Sequence, residues 1–411
     1  MEYGLIGERL SHSYSREVHS LLADYTYELC EVARDGLDTF MREHSFKGIN
    51  VTIPYKEAVI PYLDYIDPVA REIGAVNTVV NRGGKLYGYN TDAYGMTRLI
   101  EKSGITIAGK TVAILGSGGT AKTAHVVARE LGAKNILTVS RTGGEGCITY
   151  GELYSTYADC EIIINTTPVG MYPNIDSAPV DLNKFHKLSG VIDVIYNPLR
   201  TSLALDAKKL GIPCGTGLYM LVMQALRACE LFLDKKIDED AAEDVYREIL
   251  KKKENTVLIG MPSSGKSTVG KALSSKLGQQ FIDTDIIIEE LAGVKIAEIF
   301  KKSGEEAFRD IESEAVETVA KKNGTVIATG GGAILREKNV RALQKNGRLY
   351  FLDRPPKMLI ATEDRPLSSD TAALKKRYEE RYPIYTAVCD EIIDGSGTVD
   401  EVTDLILESK K

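Results

Sequence analysis

The stretch TVLIGMPSSGKSTVG, residues 256–270, decides the fold of the C-terminal part of the chain. A short apolar run leads into a glycine-containing loop, and a segment that favours a helix follows. The loop matches the pattern GxxxxGK[ST] from Gly260 to Ser267 without a gap. In this pattern backbone N–H groups surround phosphate oxygens, the lysine reaches the β and γ phosphates, and the serine hydroxyl binds Mg²⁺. The segment therefore predicts a strand, a nucleotide-binding loop and a helix.

A second glycine-rich loop lies upstream, in VAILGSGGTA, residues 112–121. It too follows an apolar strand and precedes a helix, and with the next strand it makes a βαβ unit. In this context Gly116, Gly118 and Gly119 predict a dinucleotide pyrophosphate at a helix N-terminus. The alternative is a plain turn between a strand and a helix.

Arg141 follows the second strand of this βαβ unit, in TVSRT. NAD-binding proteins usually place Asp or Glu at this point, where the carboxylate accepts from the ribose 2′-hydroxyl. A guanidinium instead suits the 2′-phosphate of NADP, because it can donate two parallel hydrogen bonds. The sequence therefore predicts NADP rather than NAD, unless Arg141 is only a surface charge.

Composition indicates a soluble protein of several domains. The chain has 411 residues, 43% of them hydrophobic, and a net charge of −7. It contains no long basic run, which argues against nucleic-acid binding, and no apolar run of about 18 residues that would span a membrane. The six cysteines are scattered, which argues against disulfides and zinc, and the N-terminal stretch does not resemble a signal peptide. These features predict a cytoplasmic protein and do not decide its oligomeric state.

The pattern of apolar runs divides the chain into three α/β lobes, with predicted bounds 1–97, 98–253 and 254–411. In the first lobe, YGLIG and KGINVTI read as strands, and two further strands form a hairpin around Gly83–Gly84. The second lobe contains the βαβ unit, and its C-terminal helices are expected to return to the first. The charged segment that ends at Lys253 reads as a closing helix, and a new strand follows it.

Residues 1 to about 250 resemble shikimate dehydrogenase. The motifs that carry this resemblance are HSYSR (12–16), NVTIPYK (50–56), GAVNT (74–78), NTDAYG (90–95), SRT (140–142), NTTPVGM (165–171), DVIYNPLRT (193–201) and GLYMLVMQA (217–225). Two positions depart from the family pattern: Arg16 stands in place of proline, and Ser140 in place of asparagine. The resemblance implies a two-lobed α/β dehydrogenase, with a substrate lobe and a Rossmann-like NADP lobe, that reduces 3-dehydroshikimate to shikimate with NADPH.

This resemblance assigns roles to individual residues. Lys56 and Asp92 would be the catalytic pair, since a proton must reach the oxygen of the ketone as it is reduced; the sequence leaves open which one donates it. Taken singly, Lys56 could be a solvated lysine and Asp92 a helix cap. The substrate would contact Ser13, Ser15, Thr52, Asn77, Asp92, Tyr196 and Gln224. NADP would contact Gly116, Ser117, Gly118, Gly119, Thr120, Ser140, Arg141, Thr142, Val194 and Gly217.

Residues from about 255 to 411 resemble shikimate kinase, which has a P-loop fold like that of nucleoside monophosphate kinases. Beside the P-loop, the motifs are FIDTD (281–285), AFRDIE (307–312), ATGGGA (328–333), EDRPL (363–367) and ERYPIY (380–385). The resemblance implies transfer of a phosphoryl group from ATP, with Mg²⁺, to the 3-hydroxyl of shikimate.

Roles in this second segment also follow from the resemblance. Lys266 and Asp285 would be catalytic, and Ser267 and Asp283 would hold the metal. ATP would contact Ser263, Ser264, Gly265, Lys266, Ser267, Thr268 and Arg365. Shikimate would contact Asp285, Arg309, Gly331 and Arg381. Each arginine could instead be a helix surface residue paired with an acid, and Asp283 could be a plain strand-end residue.

Rival functions come from other classes. The first segment could be a quinate/shikimate dehydrogenase that uses NAD, and the second could be a nucleotide-sensing P-loop module. A scaffold without activity would leave two polar residue sets unexplained. A cofactor and substrate assay decides the first alternative, and shikimate-dependent release of ADP decides the second.

Overall fold

The computed structural model describes residues 1–10, 13–144, 146–359 and 371–410. Contacts divide the chain into two compact units, Met1–Ile249 and Leu250–Lys411. The division falls inside the helix Glu239–Lys253, so the boundary predicted after Lys253 lies at the end of that same helix. Each unit has its own apolar core.

The first sheet of the N-terminal unit is mixed. Its strands are β1 (Tyr3–Gly7), β2 (Tyr27–Glu31), β3 (Gly48–Val51), β4 (Tyr65–Ile66), β5 (Thr78–Arg82) and β6 (Lys85–Tyr89), in the order β2-β1-β3-β5-β6-β4. The helices that accompany them are α1 (Ser15–Leu22), α2 (Leu37–Glu43), α3 (Pro68–Ile73) and α4 (Thr91–Lys102). β5 and β6 form the predicted hairpin, in which Gly83 and Gly84 take the positive φ angles of a two-residue turn. β2 and β4 were not predicted, since β2 is largely polar and β4 has two residues.

The second sheet is entirely parallel. Its strands are β7 (Thr111–Leu115), β8 (Asn135–Ser140), β9 (Cys147–Thr149), β10 (Ile162–Asn165), β11 (Gly190–Asp193) and β12 (Cys214–Thr216). The helices are α5 (Gly119–Glu130), α6 (Tyr150–Thr156), α7 (Ser202–Lys209), α8 (Gly217–Leu233) and α9 (Glu239–Lys253). The order β12-β11-β10-β7-β8-β9 is that of a doubly wound dinucleotide-binding sheet. In such a sheet a ligand binds beyond the carboxyl ends of the strands where the order reverses, here between β7 and β10.

Helix α8 leaves the second sheet and packs against the first. Phe232 lies in one apolar cluster with Tyr3 and Leu5 of β1. α8 also packs along α4, and Gly95 permits this close approach, because a Cβ there would lie 2.5 Å from the carbonyl oxygen of Met220. A cavity in this unit is lined by residues of both lobes, among them Lys56 and Gly217.

The C-terminal unit is a second parallel α/β structure. Its strands are β13 (Asn255–Ile259), β14 (Gln280–Asp283), β15 (Thr325–Ala328), β16 (Gly347–Asp353) and β17 (Glu391–Asp394), in the order β14-β15-β13-β16-β17. Its helices are α10 (Lys266–Leu277), α11 (Thr284–Ala292), α12 (Ile296–Ala320), α13 (Glu337–Asn346), α14 (Thr371–Val388) and α15 (Val399–Ser409). The predicted loop connects the central strand β13 to α10. The predicted α/β class is therefore confirmed. In the part of the chain that the structure describes, no helix combines the length and apolarity needed to cross a bilayer.

Candidate active sites

A cavity of about 580 Å³ in the N-terminal unit brings predicted residues together from distant parts of the chain. It is lined by all of the residues predicted to contact the substrate and by Lys56: Ser13, Ser15, Thr52, Lys56, Asn77, Asp92, Tyr196 and Gln224. Thr120, Val194 and Gly217, which were predicted to contact NADP, line it as well. Sequence reasoning did not assign Arg9 and Asn50, which also line the cavity.

Lys56 and Asp92 form an ion pair in this cavity. Nζ of Lys56 donates to Oδ2 of Asp92 at 2.5 Å, and the two side chains are 23% and 15% exposed. The cap of α4 is Asn90, whose side chain accepts from the N–H of Ala93. The reading of Asp92 as a helix cap is therefore wrong, and so is the reading of Lys56 as a solvated lysine. The arrangement holds a proton donor beside a carboxylate.

Hydrogen bonds connect several buried polar side chains in and behind the wall of this cavity. Tyr27 donates to Asn50 Oδ1 at 2.7 Å, and Asn50 Nδ2 donates to Thr78 Oγ1 at 3.0 Å. Further along, Asn77 Nδ2 donates to Thr91 Oγ1 at 3.0 Å, and that hydroxyl donates to Gln224 Oε1 at 3.3 Å. Buried polar groups that bond one another are held in fixed orientations. Asn50 is the first residue of the motif NVTIPYK, and this position indicated that it lies near the site.

The first glycine-rich loop lies at the point where the strand order reverses. Gly116 has φ +106°, and a Cβ there would lie 2.9 Å from the hydroxyl of Thr166, which follows β10. Glycine is therefore required by both backbone angle and space. The exposed residues Ser117, Gly118 and Gly119 lead into α5. Such a helix start presents free N–H groups to an anion.

Arg141 is exposed one residue beyond the end of β8, and this strand pairs with β7 beside the loop. The side chains of Ser140 and Thr142 both donate to the carbonyl of Gly143, at 3.2 Å and 3.5 Å, and so hold the turn that carries Arg141. This placement is compatible with a phosphate on the ribose, and the role of Arg141 remains a prediction.

Asp193, at the end of β11, orients the loop that carries Val194 and Tyr196. Its carboxylate accepts from the hydroxyl of Thr201 at 2.5 Å and from Nδ2 of Asn165 at 3.0 Å. Burial raises the pKa of Asp193 to about 6, and these hydrogen bonds oppose the rise. Asp193 is the first residue of the motif DVIYNPLRT, but the sequence alone did not indicate this role. Gly217 is needed at the start of α8, because a Cβ there would collide with the Val194 carbonyl.

In the C-terminal unit the lysine of the P-loop is buried within the loop. Nζ of Lys266 donates to the carbonyls of Gly260 and Met261 at 2.9 Å and 2.7 Å. Ser264, Gly265 and Thr268 line a small cavity of about 120 Å³ next to the loop. Ser263 has a φ of +64°, which turns the chain within the loop. Arg365 lies outside the described residues.

Ser267 and Asp283, the predicted metal pair, are in contact. The serine hydroxyl donates to Oδ2 of Asp283 at 2.5 Å, and Oδ1 accepts from the N–H of Asp285 at 3.0 Å. Asp283 is thus also the cap of α11. Among the described residues there is no group of three His, Cys, Asp or Glu that would cage a metal. One hydroxyl and one carboxylate nevertheless fit Mg²⁺, which takes few protein ligands and completes its shell with water and phosphate oxygens.

A cavity of about 650 Å³ lies beside the P-loop. It is lined by predicted residues, Asp283, Asp285, Arg309, Gly331 and Arg381, and by residues that sequence reasoning did not assign, among them Glu312 and Arg377. The guanidinium of Arg381 donates to the carbonyl of Gly331 at 2.9 Å. Arg381 is 9% exposed and Arg309 7%. Neither is the surface arginine of the alternative interpretation.

Arg309 is paired with two carboxylates of its own helix. It donates to Glu312 Oε2 at 2.7 Å and to Glu305 Oε1 at 3.0 Å. Burial lowers the pKa of Arg309, but these carboxylates outweigh that effect and the net pKa is raised. Burial raises the pKa of Glu312, against the opposing charge of Arg309. The guanidinium is therefore fixed and charged at the cavity wall.

The triple-glycine loop after β15 allows charged side chains to approach the backbone. A Cβ on Gly330 would lie 2.9 Å from Oε1 of Glu312 and 3.0 Å from Oδ1 of Asp285. A Cβ on Gly332 would collide with the guanidinium of Arg309. Gly331, between them, was predicted to contact shikimate, and a Cβ there would lie 2.6 Å from the ring of Pro262.

Two family models match this chain, one in each unit. The model "Shikimate dehydrogenase substrate binding domain" matches residues 5–79, and the model "Shikimate kinase" matches residues 262–411. A curated relative, shikimate dehydrogenase (NADP(+)) of Clostridium perfringens, is 38% identical over 265 residues, which is 60% of this chain and 97% of the relative.

Two solved structures are similar to the same part of the chain. Shikimate dehydrogenase 1 from Peptoclostridium difficile has 36% identity and a TM-score of 0.55, and the match covers 61% of this chain and 98% of that one. Shikimate 5-dehydrogenase from Thermus thermophilus, solved with NADP(H) and shikimate, has 28% identity and a TM-score of 0.55, with coverage of 60% and 99%.

Proposed function

The chain belongs to the shikimate dehydrogenase family and carries a shikimate kinase domain after it, and we propose that it performs two consecutive reactions on one carbon skeleton. In this proposal the N-terminal unit reduces 3-dehydroshikimate to shikimate with NADPH. The C-terminal unit then transfers a phosphoryl group from ATP to the 3-hydroxyl of shikimate. The product of the first reaction is the acceptor of the second.

In the first unit the residues act as follows. NADPH, when bound near Gly116 and Arg141, supplies the hydride. Lys56 donates a hydrogen bond or proton to the oxygen of the ketone, where negative charge develops, and Asp92 orients the lysine. The amide groups of Asn77 and Gln224 are held by hydrogen bonds within the protein, and each offers its remaining N–H to a ring hydroxyl.

In the second unit electrostatic groups surround the transfer. Lys266 neutralises phosphate charge, and Ser267 and Asp283 hold Mg²⁺. Asp285 orients the attacking hydroxyl. Arg309 and Arg381 bind the carboxylate of the acceptor, and such charged hydrogen bonds contribute roughly 1.5–3 kcal/mol each.

One observation supports this proposal above the others: in each unit a cavity adjoins a nucleotide loop. Thr120 of the first loop lines the cavity that holds Lys56. Pro262 of the P-loop lines the cavity that holds Asp285. Each nucleotide can therefore meet a small polar acceptor within its own unit.

A coupled assay tests the proposal. The intact protein is supplied with 3-dehydroshikimate, NADPH, ATP and Mg²⁺, and the products are identified by mass. We expect shikimate 3-phosphate with both nucleotides and shikimate alone when ATP is omitted. Failure to form shikimate without ATP would reject the first activity. Failure to phosphorylate added shikimate would reject the second.

A further inference from the structure

Arg377 is a third arginine at the wall of the acceptor cavity. It lies on α14, one turn before Arg381, so the two side chains share a face of the helix. Its Nη1 atom is shielded from solvent and has no hydrogen-bond partner among the described residues. A buried donor without a partner is costly, and this indicates that a ligand supplies the acceptor.

Two other cationic side chains at the cavity wall form ion pairs with carboxylates of the protein. Lys295 forms an ion pair with Glu289 at 2.7 Å, and Arg309 pairs with Glu312 at 2.7 Å. In contrast, Arg377 and Arg381 have no carboxylate within 4.0 Å in the described part of the chain. Two guanidiniums next to each other, without an anion of the protein, are suited to an anionic ligand.

Charge in the cavity supports this interpretation. Burial, and after it the positive charges of Arg377 and Arg309, lower the pKa of Arg381. The Tyr385 hydroxyl is already engaged, since it donates to the Gly331 carbonyl at 2.5 Å. A bound carboxylate would relieve the repulsion between the guanidiniums.

We propose that Arg377 binds the carboxylate of the phosphoryl acceptor together with Arg309 and Arg381, and that it makes the kinase unit selective for anionic cyclic polyols. The inference rests on the proposed kinase function and extends it by one specificity-determining residue. The planar guanidinium of Arg377 can donate two parallel hydrogen bonds to one carboxylate, and a lysine ammonium cannot reproduce this geometry.

The test compares Arg377→Gln and Arg377→Lys with Lys376→Gln in the full chain. Lys376 precedes Arg377, and its side chain is 80% exposed and paired with Glu380, so its variant is a matched loss of charge. We measure kcat and KM for shikimate and for ATP, and the Kd of shikimate by calorimetry without nucleotide. Arg377→Gln should raise KM and Kd for shikimate about tenfold or more, with kcat and the KM of ATP nearly unchanged. Arg377→Lys should lie between, and Lys376→Gln should match the parent.

The methyl ester of shikimate separates charge recognition from a general effect on the fold. The parent should phosphorylate the ester poorly, and Arg377→Gln should lose little more with it. An unchanged KM for shikimate in Arg377→Gln, an equal loss with the ester, or a rise confined to ATP would overturn the inference. A parent protein that fails to phosphorylate shikimate would reject the proposed function itself, and the inference with it.

Discussion

Substitution of Lys56 by alanine should remove the dehydrogenase activity and leave the kinase activity intact. The lysine contacts Asp92 at 2.5 Å inside a cavity of the N-terminal unit, and the units Met1–Ile249 and Leu250–Lys411 have separate cores. A positioned acid or base contributes typically about 10²–10⁴-fold to a rate. We therefore expect kcat of the reduction to fall by about that factor, which corresponds to about 3–5 kcal/mol of activation free energy.

The two members of this pair should also act as a unit. Because the lysine and the carboxylate touch, the double variant Lys56→Ala/Asp92→Ala should lose about as much kcat as the more damaging single variant. The control is Lys187→Ala. Lys187 forms an ion pair of similar length, 2.6 Å, with Asp159 in the same unit, but both side chains are about 60% exposed. Its loss should change neither activity.

The assay follows NADPH oxidation with 3-dehydroshikimate and, separately, ADP release with shikimate. Far-ultraviolet circular dichroism and a thermal melt show whether each variant is folded. A folded Lys56→Ala protein that has lost both activities would refute the reasoning that the units work independently. A variant that retains full kcat for reduction would refute the role of Lys56, and additive losses in the double variant would refute the coupling with Asp92.

Other substitutions test the remaining parts of both sites. Arg141→Ala should weaken NADPH binding much more than NADH binding, and equal losses in calorimetry would show that Arg141 does not recognise the 2′-phosphate. Lys266→Ala should remove phosphorylation and spare reduction, measured in the same two assays; loss of reduction in a folded protein would contradict the assignment. Gly332→Ala should push Arg309 out of its pair and raise the KM for shikimate about tenfold with a smaller change in the KM of ATP, and an unchanged KM would mean that the loop has room for a Cβ. The pKa of Asp193 is raised to about 6 in the native state. Between about pH 4 and pH 6 the native state therefore binds a proton on Asp193 that the unfolded state has already lost, and the contribution of this group to the free energy of unfolding falls as pH rises through this window. Asp193→Asn has no such proton, so urea unfolding should show its stability improving relative to the parent from about pH 4 to pH 7, and a pH-independent difference would refute this.

Local motifs made much of both sites predictable. The P-loop and the first glycine-rich loop each require a backbone conformation that few sequences allow, as φ of +106° at Gly116 illustrates. Because each loop follows a parallel strand, its position at the carboxyl edge of a sheet also follows from the pattern. The class of fold and the nucleotide loops could therefore be predicted from short stretches.

Residues whose role depends on packing could not be predicted in this way. Glu312 and Arg377 lie on helices, and a charged helix residue is usually solvated; only the packing of α12 and α14 turns these two toward the cavity. Asn50 and Thr91 each stand in a motif, but the hydrogen-bond network that they form joins residues far apart in sequence, so the motifs alone do not predict it. Asp92 illustrates the ambiguity: its motif allowed either a helix cap or an ion pair, and the position of Lys56 in space decided between them.

The packing of α8 on the first sheet has a consequence for protein synthesis. The cavity with Lys56 is lined by Leu5 of β1 and by Gln224 of α8, which are far apart in the sequence. Its wall is therefore incomplete until α8 has emerged from the ribosome. A nascent chain that stops before Gly217 leaves apolar side chains of β1, among them Tyr3, without the cover that Phe232 provides. We expect chaperones and proteases to bind such a fragment, because its apolar surface is exposed. The cavity of the kinase unit is instead formed by one continuous later segment, so this unit can fold independently of the first.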